Sequence, residues 1–460
     1  MTTIDRSPVT SSAQPDRYRA YTLHNLESLP QLDRIPPDIL EGIRVVAQVL
    51  PFKTNSYVVN ELINWDDVPN DPMFVLNFPQ PDMLHPDHYE LVRGAMDKGK
   101  EALDAAVETV RRALNPHPAG QMEHNVPEIY GHKLSGMQHK YRETVLFFPS
   151  NGQTCHAYCT FCFRWAQFVG DEELKFAMRE TELLVAYLKE HTEVTDLLIT
   201  GGDPLVMSAK NLRNYIEPIL EAKIPHLRTI RIGSKALSYW PYRFTRDKDA
   251  DDLLALFREV KDAGKHLALM GHFNHPRELS TPAVEEAIAR ILETGAQIRT
   301  QSPLMHNIND DPDVWAEMWK RQVSLGLIPY YMFLARDTGA QNYFSVPLVR
   351  ADQIFREAYR QVSGICRTVR GPSMSTDPGK IQVLGPAEVA GRKVLTLTFI
   401  QGRDPEWVRR PFFAAYDSKA TWIDELRPAF GQDRFFFEEE LEGMFDSEAG
   451  RLDRIAQHRN

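Results

Sequence analysis

Cysteine is scarce in this 460-residue chain, which has 4 in all and no regular pairing of them. That argues against a secreted, disulfide-stapled scaffold and leads us to expect a reducing, cytoplasmic setting. Long apolar runs are also missing. No stretch approaches the roughly 18 residues that a membrane span requires, and the opening MTTIDRSPVTSSAQPDRYRA lacks the apolar centre of a secretory signal. Positive charge is not in surplus either: 53 Lys and Arg stand against 63 Asp and Glu, for a net charge of -10. Without a basic footprint or aromatics interleaved with Lys/Arg clusters, nucleic acid is a poor candidate partner and a small molecule a better one. A chain of this length that is 43% hydrophobic can bury a core large enough for one big domain with additions, or for two.

The few cysteines present are concentrated. Cys155, Cys159 and Cys162 form C-x3-C-x2-C in CHAYCTFC, just after the apolar run at 145–148. Thiolates bind iron and zinc strongly, and three on one loop can hold three irons of a [4Fe-4S] cluster while the fourth iron stays open for chemistry. A zinc site would need a fourth ligand, for which His156 or the distant Cys366 is available. With no other thiol to pair with, Cys366 otherwise reads as a core cysteine.

Residues 1–40 are rich in Ser, Thr, Pro and charge, and read as a mobile or loosely docked leader. Residues 41–139 are mostly helical in pattern, with one amphipathic helix expected over 89–114. Beyond them, β-branched or aromatic runs at 145–148, 196–200, 228–232, 266–270, 297–301 and 328–333 alternate with helical patterns at 172–190, 209–221, 251–263, 283–293 and 313–323. Such alternation predicts βα units on a parallel sheet, an α/β fold, with chemistry at the C-terminal strand ends. The core is expected over 140–345 and a further region over 346–460. In that region PFFAAYD, TWIDELRPAF and DRFFFEEELEGMF either cover the core or build the interface of a homo-oligomer.

The cysteine motif and its surroundings resemble the lysine 2,3-aminomutase family of radical S-adenosylmethionine (SAM) enzymes. The resemblance runs from about residue 50 to 385 through LPFKTNSYVVNELINWDDVPNDP, KYRETVLFFP, LLITGGDPL, HLRTIRIGSK, HFNHP, IPYYMF and DPGKIQVLG. It implies a partial (β/α)6 barrel, a [4Fe-4S] cluster on the three cysteines, SAM, and pyridoxal 5'-phosphate (PLP). It also implies an electron donor such as flavodoxin or ferredoxin. Gly201, Gly202 and Asp203 match the family's SAM-binding segment, and His272 and Gln301 match positions near SAM or the cofactor. Lys380 matches the lysine that carries PLP, although the family's longer glycine run is here only Asp377-Pro378-Gly379. Lys140 and Tyr141 match a basic and aromatic pair at PLP, with lysine in place of arginine.

The resemblance also bears on the substrate. Arg164 matches the arginine that grips an α-carboxylate, a contact that suits the planar guanidinium. Two aspartates hold the distal ammonium in lysine enzymes, and their positions fall here on Arg336 and Ser373. A cation in place of an anion favours glutamate or another acidic or polar amino acid, because like charges in a dry pocket repel. A one-residue shift, to Asp337 with Asp377 as the second carboxylate, restores lysine as the alternative. A radical SAM enzyme with another hydrogen-abstraction reaction and an iron-sulfur electron carrier are the further alternatives. A carrier would have no need of GGD, HFNHP or the downstream lysine.

Overall fold

A computed structural model describes residues 17–116, 125–169 and 176–445. Residues 1–16 of the expected leader and the start of the helix expected over 172–190 lie outside them. Strand β1 (Ala20–Thr22) pairs antiparallel with β2 (Lys53–Asn55), and a short hairpin joins β3 (Glu128–Ile129) to β4 (His132–Lys133). The remaining strands make one 11-stranded sheet whose spatial order is the chain order. They are β5 (Met137–Tyr141), β6 (Thr144–Phe147), β7 (Asp196–Ile199), β8 (Thr229–Ser234), β9 (His266–His272), β10 (Gln297–Leu304), β11 (Ile328–Leu334), β12 (Arg370–Ser375), β13 (Gly379–Val389), β14 (Arg392–Gly402) and β15 (Pro411–Ala415). Strands β6 to β12 are mutually parallel, whereas β5 and β13 to β15 run antiparallel to their neighbours.

Helices such as Ala209–Glu221, Ala250–Asp262, Pro282–Glu293 and Pro312–Ser324 connect the parallel strands. Their starts are set by side-chain caps: Ser208 accepts from the Asn211 amide, Thr281 from Val284 and Asp311 from Asp313, the last two followed by proline at the first helical position. Strand burial alternates. In β8, Ile230 and Ile232 are fully buried against helices while Thr229, Arg231 and Gly233 face a partly open interior, as the period of two requires.

Three sequence expectations need correction. The leader is ordered from residue 17 onward: β1 and the turns up to the Pro37–Val49 helix bury Tyr21, Leu26, Leu29 and Ile35. The single helix expected over 89–114 is two, Pro86–Met96 and Lys100–Leu114, because Gly99 adopts φ 97° between them. The boundary at 345/346 does not divide the sheet, since β12 continues the parallel run. The C-terminal aromatics also pack inward: Phe435 and Phe437 lie against Phe412 at 5.4 and 5.6 Å, and Phe399 meets Phe437 at 5.1 Å. Their bulk is thus packed within the chain, the first of the two uses expected for them.

Apolar residues form two cores. One lies between the sheet and its helices. The other joins the N-terminal helices to the cysteine segment, through Ala157, Trp165, Ala166, Tyr239 and Trp240. Among the described residues no helix is long and apolar enough to cross a membrane.

A candidate active site inside the curled sheet

The three cysteines occupy an irregular loop after β6, held by backbone contacts from distant parts of the chain. Lys53 Nζ donates to Cys155 O at 2.7 Å and Tyr158 N to Lys53 O at 2.7 Å. Asn55 Nδ2 donates to His156 O at 3.1 Å, and Thr160 bonds Leu76 O through its amide and Val75 O through its hydroxyl. Several of the loop's buried carbonyls and amides thereby find partners without a regular element. Burial pushes all three thiols upward, and repulsion from the neighbouring thiols adds to it at Cys155 and Cys162, the latter reaching about 12. His156, between the first two cysteines, is buried and held neutral, pushed down to about 3 by desolvation.

Among the described residues no three His, Cys, Asp or Glu side chains converge as they would on a single ion. Three thiols on one loop, unpaired with one another, fit a polynuclear cluster better, because its ligands bind different irons. Cys366 is buried, as expected of a core residue.

The GGD turn after β7 packs directly on this loop. Asp203 N donates to Gly152 O at 3.1 Å and to Thr154 O at 2.7 Å. A Cβ on Gly202 would lie 2.5 Å from Thr154 O and 2.6 Å from Thr154 N, so only glycine fits. The Asp203 carboxylate is turned into the protein: Oδ1 accepts from Leu205 N at 2.9 Å, and Oδ2 from Ser234 Oγ at 3.0 Å and Lys235 N at 2.9 Å. Burial raises it to about 6 against the pull of these donors. Asp203 therefore anchors the β7 and β8 turns, and a ligand at this turn would meet mainly backbone.

His272 ends β9, with Nε2 3.1 Å from Asn274 Nδ2 and its ring 5.5 Å from that of Phe161 in the cysteine loop. Burial and the nearby Lys235 keep it well below the usual histidine range. Gln301 sits beside it in register on β10 and next to Tyr331 on β11.

Lys380 stands on β13 one residue after the Thr376–Gly379 turn. Its Nζ donates to Gln401 Oε1 at 2.6 Å and lies 5.1 Å from the centres of both the Tyr141 and Tyr331 rings. Enclosure by protein, then repulsion from Arg231 and Arg370, lowers it to about 7, with Asp196 opposing. Lys140 donates to Thr376 O, tying β5 to the turn before Lys380; burial and Arg403 hold it well below its ordinary value. The sheet thus curls until its first strand meets β13. Arg370 stacks over Tyr331 at 4.2 Å, and Arg231 Nε bonds Asp196 Oδ1 at 2.8 Å. The sequence reading missed Arg231, Arg370, Asp196, Tyr331 and Gln401. The signal available for the first three was charge at interior-facing strand positions, such as Arg231 between Ile230 and Ile232.

Arg164 lies over the Phe148 ring at 4.2 Å, bonds Gln167 and leaves Nε without a hydrogen-bond partner; desolvation lowers it to about 10. Arg336 follows β11, with its guanidinium 5.3 Å from the Phe163 ring and Nε 3.7 Å from Asp337 Oδ1. It opens on a cleft of about 400 Å³ that also contains Asp337, Asp377, Asp424 and Glu438. Ser373 does not line this cleft. It is buried in β12, with Oγ donating to Met332 O at 3.3 Å.

Comparison with known proteins gives the site its family. No family model matches the chain. A protein of Aquifex aeolicus (strain VF5) described as "Putative L-lysine 2,3-aminomutase" is 30% identical over 394 residues, covering 86% of this chain and 92% of that one. The L-lysine 2,3-aminomutase of Bacillus subtilis (strain 168) is 24% identical over 75% of this chain and 63% of its own length. That of Clostridium subterminale is 26% identical over 58% and 59%. Among solved structures, Streptococcus suis SuiB overlaps 58% of this chain and 55% of its own at 10% identity and a TM-score of 0.32, too distant to bear on the argument. With the first of these relatives matched along nearly its whole length, the chain belongs to the lysine 2,3-aminomutase family.

Proposed function

We propose that this protein is a radical SAM, PLP-dependent amino acid 2,3-aminomutase, moving the α-amino group of its substrate to the β-carbon. The observation that carries the reading is the joint placement of the Cys155–Cys159–Cys162 loop and a desolvated Lys380 around one curled sheet. When bound, the cluster and SAM supply hydrogen abstraction from an unactivated carbon, and PLP supplies an electron-accepting ring for the migrating amine. The electron comes from a donor such as flavodoxin or ferredoxin.

The chain's residues divide the remaining work. Lys380, lowered to about 7, is available as a neutral amine near neutral pH, with Gln401 fixing its direction. Tyr141 and Tyr331 give flat walls for an aromatic cofactor. Arg231 and Arg370 supply the positive field that a phosphate requires. Gly201 and Gly202 hold backbone close to the cysteine loop for SAM, with His272 and Gln301 alongside. Arg164, with its free Nε, suits a carboxylate. The parallel strands and their helices support a partial (β/α)6 barrel, to which β12 adds a seventh parallel strand.

For the substrate, Arg336 supports glutamate or another acidic or polar amino acid. Its Nε has no hydrogen-bond partner, and its one neighbouring carboxylate, Asp337, stands at ion-pair distance, 3.7 Å, without hydrogen-bonding it. Lysine is the second reading, favoured by the four carboxylates of the same cleft and by the activity for which the relatives are named. The test is anaerobic incubation of reconstituted, reduced enzyme with SAM, PLP and either amino acid, followed by chromatography of β-amino acids. β-Glutamate is the expected product; β-lysine alone would replace the glutamate assignment by the lysine one.

A further inference from the structure

One segment after β8 brings two polar groups under the cysteine loop. Lys235 and the turn Ala236–Tyr239 are fixed at their start by Asp203, which accepts from Ser234 and Lys235, and at their end by Asn55, which donates to Tyr239 O at 2.9 Å. The Tyr239 hydroxyl lies 3.5 Å from Cys159 Sγ. With the thiol protonated its S–H donates to this hydroxyl; once the sulfur ligates iron it carries no hydrogen, and the phenol becomes the donor. Tyr239 is 1% exposed, so water cannot substitute for it. Lys235 Nζ sits 4.4 Å from the Tyr239 ring centre, held by Asn274 Oδ1 at 2.7 Å, Glu278 Oε1 at 2.6 Å and His272 O at 3.2 Å.

We infer that Tyr239 is a positioning residue that raises the reduction potential of the cluster by donating its hydroxyl hydrogen bond to the Cys159 sulfur. This rests on the cluster-binding function proposed above. The step it affects is the transfer of one electron from a low-potential one-electron donor to [4Fe-4S]2+, giving [4Fe-4S]+ with no proton taken up and no ligand exchanged. The reduced cluster is one unit more negative, so a donor to a ligating sulfur stabilises it more than the oxidised form, and the potential rises. The Lys235 ammonium polarises the phenol in the same sense, partly offset by Glu278.

The test is an EPR-monitored redox titration of the reconstituted full-length protein, wild type against Tyr239→Phe, with iron content measured on both. The expected result is an unchanged iron content and a midpoint shifted to lower potential in Y239F, with a smaller reduced fraction at a fixed dithionite concentration. An unchanged midpoint at equal iron overturns the inference. If Y239F does not load iron, 3-fluorotyrosine at position 239, a stronger donor of nearly the same shape, takes its place. A shift to higher potential then supports the inference and an unmoved midpoint overturns it. A wild-type protein that binds no cluster overturns the reading on which the inference rests, and is told apart by its iron content alone.

Discussion

The cysteine loop and the surroundings of Lys380 both enclose ionisable groups, yet the protein treats them differently. Backbone and side-chain hydrogen bonds hold the thiol loop from sequence-remote segments around Lys53, Asn55, Val75 and Leu76, and the GGD turn packs on it. Lys380 has one hydrogen bond, two aromatic walls and a surplus of cations nearby. Position is what the first region secures, because three sulfurs must meet one cluster. Desolvation is what the second secures, because an amine works as a nucleophile only when it is neutral.

The sharpest way to break this comparison is to remove each region's reacting group. Cys162→Ala should lose nearly all cluster iron and all SAM cleavage. Lys380→Ala should keep its iron, lose pyridoxal absorbance and lose aminomutase activity by orders of magnitude. Loss of iron from K380A would show that the regions are not separable. Next in size is Gly202→Ala, whose new methyl would overlap the Thr154 backbone. Overpacking of this kind costs about 1–3 kcal/mol, and here it should also lower iron loading. Gly364→Ala, with nothing within 4 Å of the added carbon, should change thermal stability by less than about 0.5 kcal/mol.

Asn55→Ala tests the clamp alone. It leaves the Tyr239 carbonyl and the Val58 amide without their buried partner, while His156 O keeps the Tyr18 hydroxyl at 2.8 Å, and denaturant unfolding should register a loss of about 1–3 kcal/mol. A last prediction concerns pH. Lys380 is lowered, so its reactive neutral form appears as pH rises through about 7 and persists above it. Labelling of the apo-protein at Lys380 by PLP and borohydride should rise with a midpoint near 7. A midpoint near the ordinary lysine value of about 10.4 would remove the desolvation argument.

How much of this was legible in the sequence follows from the same contrast. The six parallel strands were placed within a few residues of their positions, because buried strands between amphipathic helices leave a strong periodic signal. The cysteine motif and GGD turn were visible because their chemistry depends on local spacing. Gln401 and Tyr331 were not, since antiparallel pairing and a bulge in β11 bring them to Lys380 from outside its own segment. The ordered start of the chain was missed because its polar composition hides the few buried residues, Tyr21, Leu26, Leu29 and Ile35, that dock it. Ser373, expected near the substrate's distal end, is instead buried in β12 with its hydroxyl on Met332 O, and does not line the cleft.

The most direct test of the aminomutase assignment follows nitrogen. Reconstituted, reduced enzyme would be incubated with SAM, PLP and substrate labelled with nitrogen-15 at the α-amino group, in buffer containing unlabelled ammonium, and the β-amino acid read by mass spectrometry. The account predicts a β-amino acid that keeps its nitrogen-15 fully. A product carrying nitrogen from the buffer, or SAM cleavage with no β-amino acid from any amino acid offered, would contradict it.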